Sequence, residues 1–147
     1  MLLPFCLLPL ALTLAIATTT TKEQQEESKK LTQIVNTLRQ RARVQPVAHS
    51  PILDKLAWEK SYAMNLTGQF DHYHPNLPSI KSLMDKCGTN WTVAGENLAL
   101  QYWRPEDAVQ GWFKSPTHKA NLLEPRFNAH GSCRIGQYYT QLFGSFE

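Results

Sequence analysis

An α+β fold, with helices first and a strand pair last, is what this 147-residue chain predicts. Three observations carry that expectation. Between residues 23 and 86 apolar side chains recur at three- and four-residue steps, the period of a helix with one buried face. Past Pro125 the composition shifts to Gly, Tyr, Phe and Cys in two runs joined at Gly136, which reads as an antiparallel hairpin. No internal repeat and no linker interrupts the chain, so the helices and strands belong to one domain.

The elements follow in order. Leu2 to Ile16 is almost wholly apolar, is too short to span a bilayer, and closes on Ala15-Ile16-Ala17, a small-x-small cleavage pattern. Residues 1–17 therefore read as a signal peptide, although no Lys or Arg precedes the apolar run. Residues 18–22 form a polar tract expected to be disordered after processing, and residues 23–147 form the domain. About 130 residues suit a single core. No other run approaches spanning length, so the processed chain is expected to be secreted, with no stable membrane insertion.

Leu31, Ile34, Val35 and Leu38 mark an amphipathic helix from Glu23 to Arg43, stopped by Pro46. Ser50-Pro51 has the form of an N-cap followed by proline at the first helical position, and Gly68 ends that second helix. Asn76 to Lys86 suggests a short helix closed by Cys87-Gly88. Trp91 to Leu100 is mixed, with a Gly95-Glu96-Asn97 turn expected inside it. Arg104-Pro105-Glu106-Asp107 opens a further helix, with acids near the positive end of its dipole, and Ser115-Pro116 ends it ahead of a short turn from His118 to Leu123. Ala129 to Ile135 and Tyr138 to Phe146 are the hairpin strands.

Charge and cysteine use narrow the function classes. The net charge is +3, and the basic residues of the first helix are interrupted by Glu23, Glu26 and Glu27, which describes a solvated face and excludes a nucleic-acid partner. Once Cys6 leaves with the signal peptide, Cys87 and Cys133 remain, and an oxidising compartment allows them one pairing. Such a disulfide would stabilise by roughly 3–4 kcal/mol on the chain-entropy model. Free buried thiols are the alternative. Asn65-Leu66-Thr67 and Asn90-Trp91-Thr92 match the N-glycosylation acceptor pattern and place Asn65 and Asn90 at the surface.

The chemistry-bearing residues lie mid-chain. Phe70-Asp71-His72 offers one imidazole, Ala94-Gly95-Glu96-Asn97-Leu98-Ala99 a carboxylate, and Trp112-Phe113-Lys114-Ser115-Pro116-Thr117-His118 a second imidazole. Neutral imidazole nitrogen and carboxylate oxygen both coordinate zinc-like ions, and the same groups also make a proton-handling cluster. Glu96, in an apolar stretch, must be paired or hydrogen-bonded if buried, and bracing a loop through backbone N–H groups would satisfy it equally. His118 is also placed to reach back to the Ser115 hydroxyl. His74, two residues past His72, is its rival as the first ligand or a loop histidine without a role, and His49 and His130 read as ordinary. No Ser-His-Asp or Cys-His pattern is visible.

Four motifs in order, Phe70-Asp71-His72, Gly95-Glu96-Asn97-Leu98-Ala99, Trp112 with Ser115-Pro116-Thr117-His118-Lys119-Ala120-Asn121-Leu122-Leu123, and Tyr139-Thr140-Gln141-Leu142-Phe143, resemble the CAP superfamily. That group, also called SCP domains, holds cysteine-rich secretory proteins, antigen 5 allergens and pathogenesis-related proteins, and the resemblance runs from about Leu31 to Phe146. It implies a three-layer α-β-α sandwich with a small central antiparallel sheet. The motifs look like the shorter, bacterial-like branch: Tyr138 stands where the longer branch has a second tetrad His, and Ser115 where it has a second Glu. In the shorter branch His118 supplies the second imidazole.

The resemblance implies a His72, Glu96, His118 site for zinc or another divalent cation, in a cleft lined by Asn97, Ser115 and Tyr138. For some relatives it suggests sterols or fatty acids, here under a lid from His72 to Trp91 carrying Leu77, Pro78, Ile80, Leu83 and Met84. Those residues would equally pack a small helix on the core. The first functional expectation is a secreted, non-enzymatic binding protein. The alternatives are a metal-assisted hydrolase or protease with Glu96 as general base, and an extracellular interaction module, effector or defence-related, that recognises another protein through its surface.

Overall fold

The computed structural model describes residues 20–147, so the expected signal peptide lies outside the described residues. Order begins earlier than the sequence suggests. Thr20 is buried and takes a hydrogen bond from Gln25, and Thr21 and Gln24 cap each other reciprocally at the start of α1, Lys22–Arg41. The Thr21 hydroxyl thereby satisfies the Gln24 N–H, one of the otherwise unpaired donors of the first turn.

α2, Pro51–Thr67, starts at Ser50, whose hydroxyl accepts the Leu53 N–H at 3.4 Å, and ends at Gly68 in the left-handed conformation (φ +70°). α3 is a short helix, Ile80–Met84, continued by a 3-10 turn, Asp85–Cys87. α4 spans Pro105–Lys114, and the expected turn after it is a helix of its own, α5, Pro116–Leu123. β3, Ala129–Ile135, and β4, Tyr138–Phe146, are the expected hairpin.

Two strands differ from expectation. Ala48–His49 forms β1, two residues paired parallel to β3. Trp91–Leu100 is one unbroken strand, β2, antiparallel to β4, with no turn at Gly95. Gly95 serves close approach instead: a Cβ there would lie 2.7 Å from the Phe127 ring and 2.9 Å from Asn121 Oδ1. The sheet order is β1-β3-β4-β2, antiparallel apart from the β1 edge.

Strand alternation separates two apolar clusters, one on each face of the sheet. Leu31 and Val35 of α1, Val109 and Trp112 of α4 and Leu122 of α5 pack on Ala99, Tyr139 and Phe143. On the other face Leu53, Leu56 and Trp58 of α2, with Leu83 and Met84 of α3, pack on Cys133 and Leu142. A smaller cluster of Met64, Leu77, Leu98 and Tyr138 extends this second side. The result is the helix-sheet-helix layering that the resemblance implied.

Cys87 and Cys133 lie in the same α2-side cluster as free, buried thiols, which corrects the disulfide expectation. Burial raises the pKa of Cys87 and pushes Cys133 up to about 12, so each behaves as a small apolar group, not a thiolate. Asn65 and Asn90, the sequon asparagines, are both exposed. Among the described residues no helix is long and apolar enough to cross a membrane.

Candidate functional site

Where the outer edge of β2 meets the loop after α2 and the start of α5, a cavity of about 300 Å³ opens. His72, Glu96 and His118 all line it, together with Tyr73, Ile80, Thr117 and Asn121. Each arrives from a different layer. Glu96 points to the α2 side of the sheet, His72 follows the left-handed stop of α2, and His118 sits in the first turn of α5, across the edge. The expected convergence of the three is present.

Their connections are specific. His72 Nδ1 lies 2.7 Å from Glu96 Oε1, with the Glu96 side chain 4% exposed and that of His72 39%. Glu96 Oε2 is buried without any hydrogen-bond partner. His118 is partly buried, and burial, then the nearby His72, hold its pKa below the usual imidazole value, so it is neutral at neutral pH.

A residue the sequence did not single out completes the centre. Lys60 of α2 is wholly buried, and its amine donates to the carbonyls of His72 (3.1 Å) and Pro78 (2.9 Å). The same nitrogen stands 3.9 Å from Glu96 Oε1. Burial lowers the Lys60 pKa and Glu96 opposes that shift, as in a buried ion pair. Lys60 therefore ties both ends of the His72–Pro78 loop to α2 and offsets the Glu96 charge.

The other expected cleft residues lie elsewhere. Asn97 is wholly buried on the opposite face of β2, because neighbouring residues of a strand alternate sides, and its amide donates to Gln141 Oε1 and to the His118 carbonyl. Tyr138 packs in the Met64 cluster, and Phe70 lies 6.4 Å from its ring. Ser115 precedes α5 outside the cavity, and its hydroxyl approaches Thr117, not His118. Leu83 and Met84 are wholly buried and Leu77 nearly so, so α3 packs as a wall of the core.

The donor set fits a divalent cation in one particular way. A carboxylate on one imidazole nitrogen fixes the tautomer and leaves the other nitrogen as the free lone pair, the usual arrangement behind a ligating histidine. With Glu96 Oε1 engaged on His72 Nδ1 and faced by Lys60, the two imidazoles would be the ligands and Glu96 the support of His72. Consistently, among the described residues no three His, Cys, Asp or Glu side chains group closely enough to hold a metal by themselves. This revises the expectation of a His72, Glu96, His118 ligand triad.

A second polar cluster lies away from the cleft. Asp54, wholly buried, receives Ser28 Oγ at 2.5 Å and the Ser132 N–H at 3.0 Å on Oδ1, and meets His49 Nε2 at 2.7 Å on Oδ2. Ser28 and His49 each contact Asp54 and not one another, so this is no nucleophile triad.

The sequence model of the cysteine-rich secretory protein family (CAP) matches residues 32–142. The chain is similar to YkwD of Bacillus subtilis (strain 168), an uncharacterised protein, at 33% identity over 117 residues, covering 78% of this chain and 46% of that one. It spans less than half the length of the curated relatives it matches. Among solved structures, an extracellular protein containing an SCP domain from Bacillus anthracis superposes with a TM-score of 0.78 at 25% identity, over 86% of this chain and 44% of that chain. An outer surface protein from Borrelia burgdorferi gives 0.75 at 21% identity, over 87% and 96% of the two chains, and supports the fold alone.

Proposed function

As the chain belongs to the cysteine-rich secretory protein (CAP) family, we propose that it is a secreted, non-enzymatic binding module whose cleft holds a divalent cation between His72 and His118. The observation that carries this reading is the Glu96 carboxylate on His72 Nδ1 at 2.7 Å, in a cavity shared with a second, neutral imidazole. Glu96 sets the His72 tautomer. Lys60 holds the loop that presents His72. A bound cation would supply a Lewis-acidic point that attracts an oxygen or nitrogen of a small ligand. Glu96 Oε2, buried and lacking a donor, would then accept a hydrogen bond from that ligand or from water. Secretion is supported by the apolar leader at residues 1–17 and by the extracellular character of the Bacillus anthracis neighbour.

The rival uses draw less support. A hydrolase would need Glu96 poised as a base towards a bound water, and its Oε1 is already engaged by His72 and faced by Lys60, which leaves Oε2 alone for that task. A sterol or fatty acid calls for a predominantly apolar pocket, and in this one Tyr73, Ile80 and Ala94 share the lining with two histidines, a glutamate, a threonine and an asparagine.

Calorimetric titration of zinc into the protein tests the proposal. One cation per chain is expected at pH 7.5, with affinity at least about 10-fold weaker at pH 5.5, where protons compete for the imidazoles. Glu96→Gln should weaken binding about 10- to 100-fold without abolishing it, as for a supporting residue. No heat at either pH, or equal affinity at both, overturns the reading.

A further inference from the structure

The cleft does not end at its lining residues. A string of side-chain hydrogen bonds runs from Asn121, on the cavity wall, along the face of the sheet that α1 and α5 cover, to Thr32 of α1, and each link has a determined direction. Backbone carbonyls only accept. Asn121 Nδ2 on Glu96 O (3.1 Å) and Asn97 Nδ2 on His118 O (3.2 Å) therefore identify the NH2 end of both amides. Asn121 Nδ2 then donates its second hydrogen to Asn97 Oδ1 at 2.9 Å, and Asn97 Nδ2 its second to Gln141 Oε1 at 2.9 Å. That turns Gln141 Nε2 towards His130 Nε2, 3.1 Å away, which must accept. The His130 proton is consequently on Nδ1 and goes to Thr32 Oγ1 at 2.7 Å, and the Thr32 hydroxyl donates to the Ser28 carbonyl at 3.0 Å.

Asn97, Thr32, His130 and Gln141 are buried, all but Thr32 wholly so, and they belong to β2, α1, β3 and β4, with Asn121 on α5. Burial holds His130 near pKa 3, so it stays neutral and its tautomer persists. In a buried amide and imidazole string, reversing one link would leave two groups facing like to like.

We propose that Gln141 and His130, through Asn97, are positioning residues for the cleft: the string fixes the His118 carbonyl, and with it the first turn of α5, so that the His118 imidazole faces His72. Asn97 donates to the His118 carbonyl and is itself oriented only by Gln141 and Asn121; Gln141 in turn is oriented by His130, whose proton is placed by Thr32. The inference deepens the cation reading in naming what the string serves, but its geometry stands without any ion.

The test uses Gln141→Met, which keeps side-chain length and removes both links, and Thr32→Val, which removes only the far end. Leu142→Ala is the control, a neighbouring core residue on the opposite face of β4. In the metal-free protein, the carbonyl carbon shift and the ring nitrogen resonances of His118 are recorded together with the melting temperature. Gln141→Met should move both His118 signals and weaken zinc binding by about 10-fold, and Thr32→Val should move the same signals in the same direction by less. Leu142→Ala should lower the melting temperature at least as far and leave His118 in place. Unmoved His118 resonances in the folded Gln141→Met or Thr32→Val protein, or equal movement in the control, overturn the proposal. Movement of His118 in a protein whose wild type takes no zinc would sink the cation reading and leave the positioning role standing.

Discussion

His130 shows how one buried residue ties this fold to pH. Burial holds its pKa to about 3, against 6.5 for a free imidazole. The unfolded chain therefore takes up a proton below pH 6.5 that the folded chain refuses, and stability falls as pH falls from 6.5 towards 3. His118, also shifted down, acts with the same sign. Asp54 opposes them: burial raises its pKa, so the folded state gains in the carboxylate range just above 3.8. Comparing the wild type with His130→Phe isolates the His130 share. The stability gap between them should shrink by about 2 kcal/mol on going from pH 7 to pH 5, read from denaturant unfolding at the two values. A gap that stays constant would mean that His130 takes a proton in the folded protein as readily as in the unfolded one. Nothing in the sequence signals this role, because Ala129-His130-Gly131 has no pattern of its own, and only the packing of α1 against β3 buries the ring. Lys60 escaped notice for the same reason: a lysine in an amphipathic helix looks like a solvated one until the loop it holds is in place.

The elements announced themselves where their ends carry chemistry. Ser50-Pro51 and Gly68 bounded α2 correctly, and Gly136 marked the hairpin, since capping and left-handed turns depend on one or two residues. β1 was illegible because two residues show no periodicity, and β2 was misread because Gly-Glu-Asn carries turn residues for other reasons. Its glycine makes room for Phe127 and Asn121, and its asparagine bonds beneath the sheet. Two other glycines separate close approach from turn geometry. At Gly131 a Cβ would lie 2.5 Å from Asp54 N and 2.6 Å from Leu53 C, backbone atoms of α2 that cannot swing away. Gly68 has a left-handed backbone but nothing within 4 Å. Gly131→Ala should therefore destabilise by about 3 kcal/mol through overpacking, and Gly68→Ala by about 1 kcal/mol through conformation alone. Denaturant midpoints of the two variants check the order, and a larger loss at Gly68 would mean that α2 does not rest directly on β3.

At the scale of the molecule, the sheet is a partition with an apolar cluster on each face, and the cleft forms where an edge strand lets both layers reach one hollow. That explains which site residues could be read early. His72, Glu96 and His118 lie in motifs that resemblance alone could join, whereas the misplaced Asn97, Ser115 and Tyr138 depended on which side of a strand or helix faces the hollow. The free edge of β2 is closed by side chains from the α4 and α5 layer: Trp112 Nε1 donates to the Leu98 carbonyl at 2.8 Å and Asn121 to that of Glu96. The opposite layer closes the cleft with the loop that Lys60 holds and with α3. Whether α3 is wall or lid has a measurable consequence. A lid opens at little cost to the whole, so truncating its apolar residues would change unfolding slightly. A wall shares the core: Leu83 is wholly buried beside Met84, Leu53 and Leu142. Leu83→Ala should then cost about 2–5 kcal/mol, as for other cavity-forming truncations, in one cooperative transition. A loss below about 1 kcal/mol, or an early partial transition confined to residues 72–90, would return α3 to the role of a lid and reopen the case for an apolar ligand beneath it.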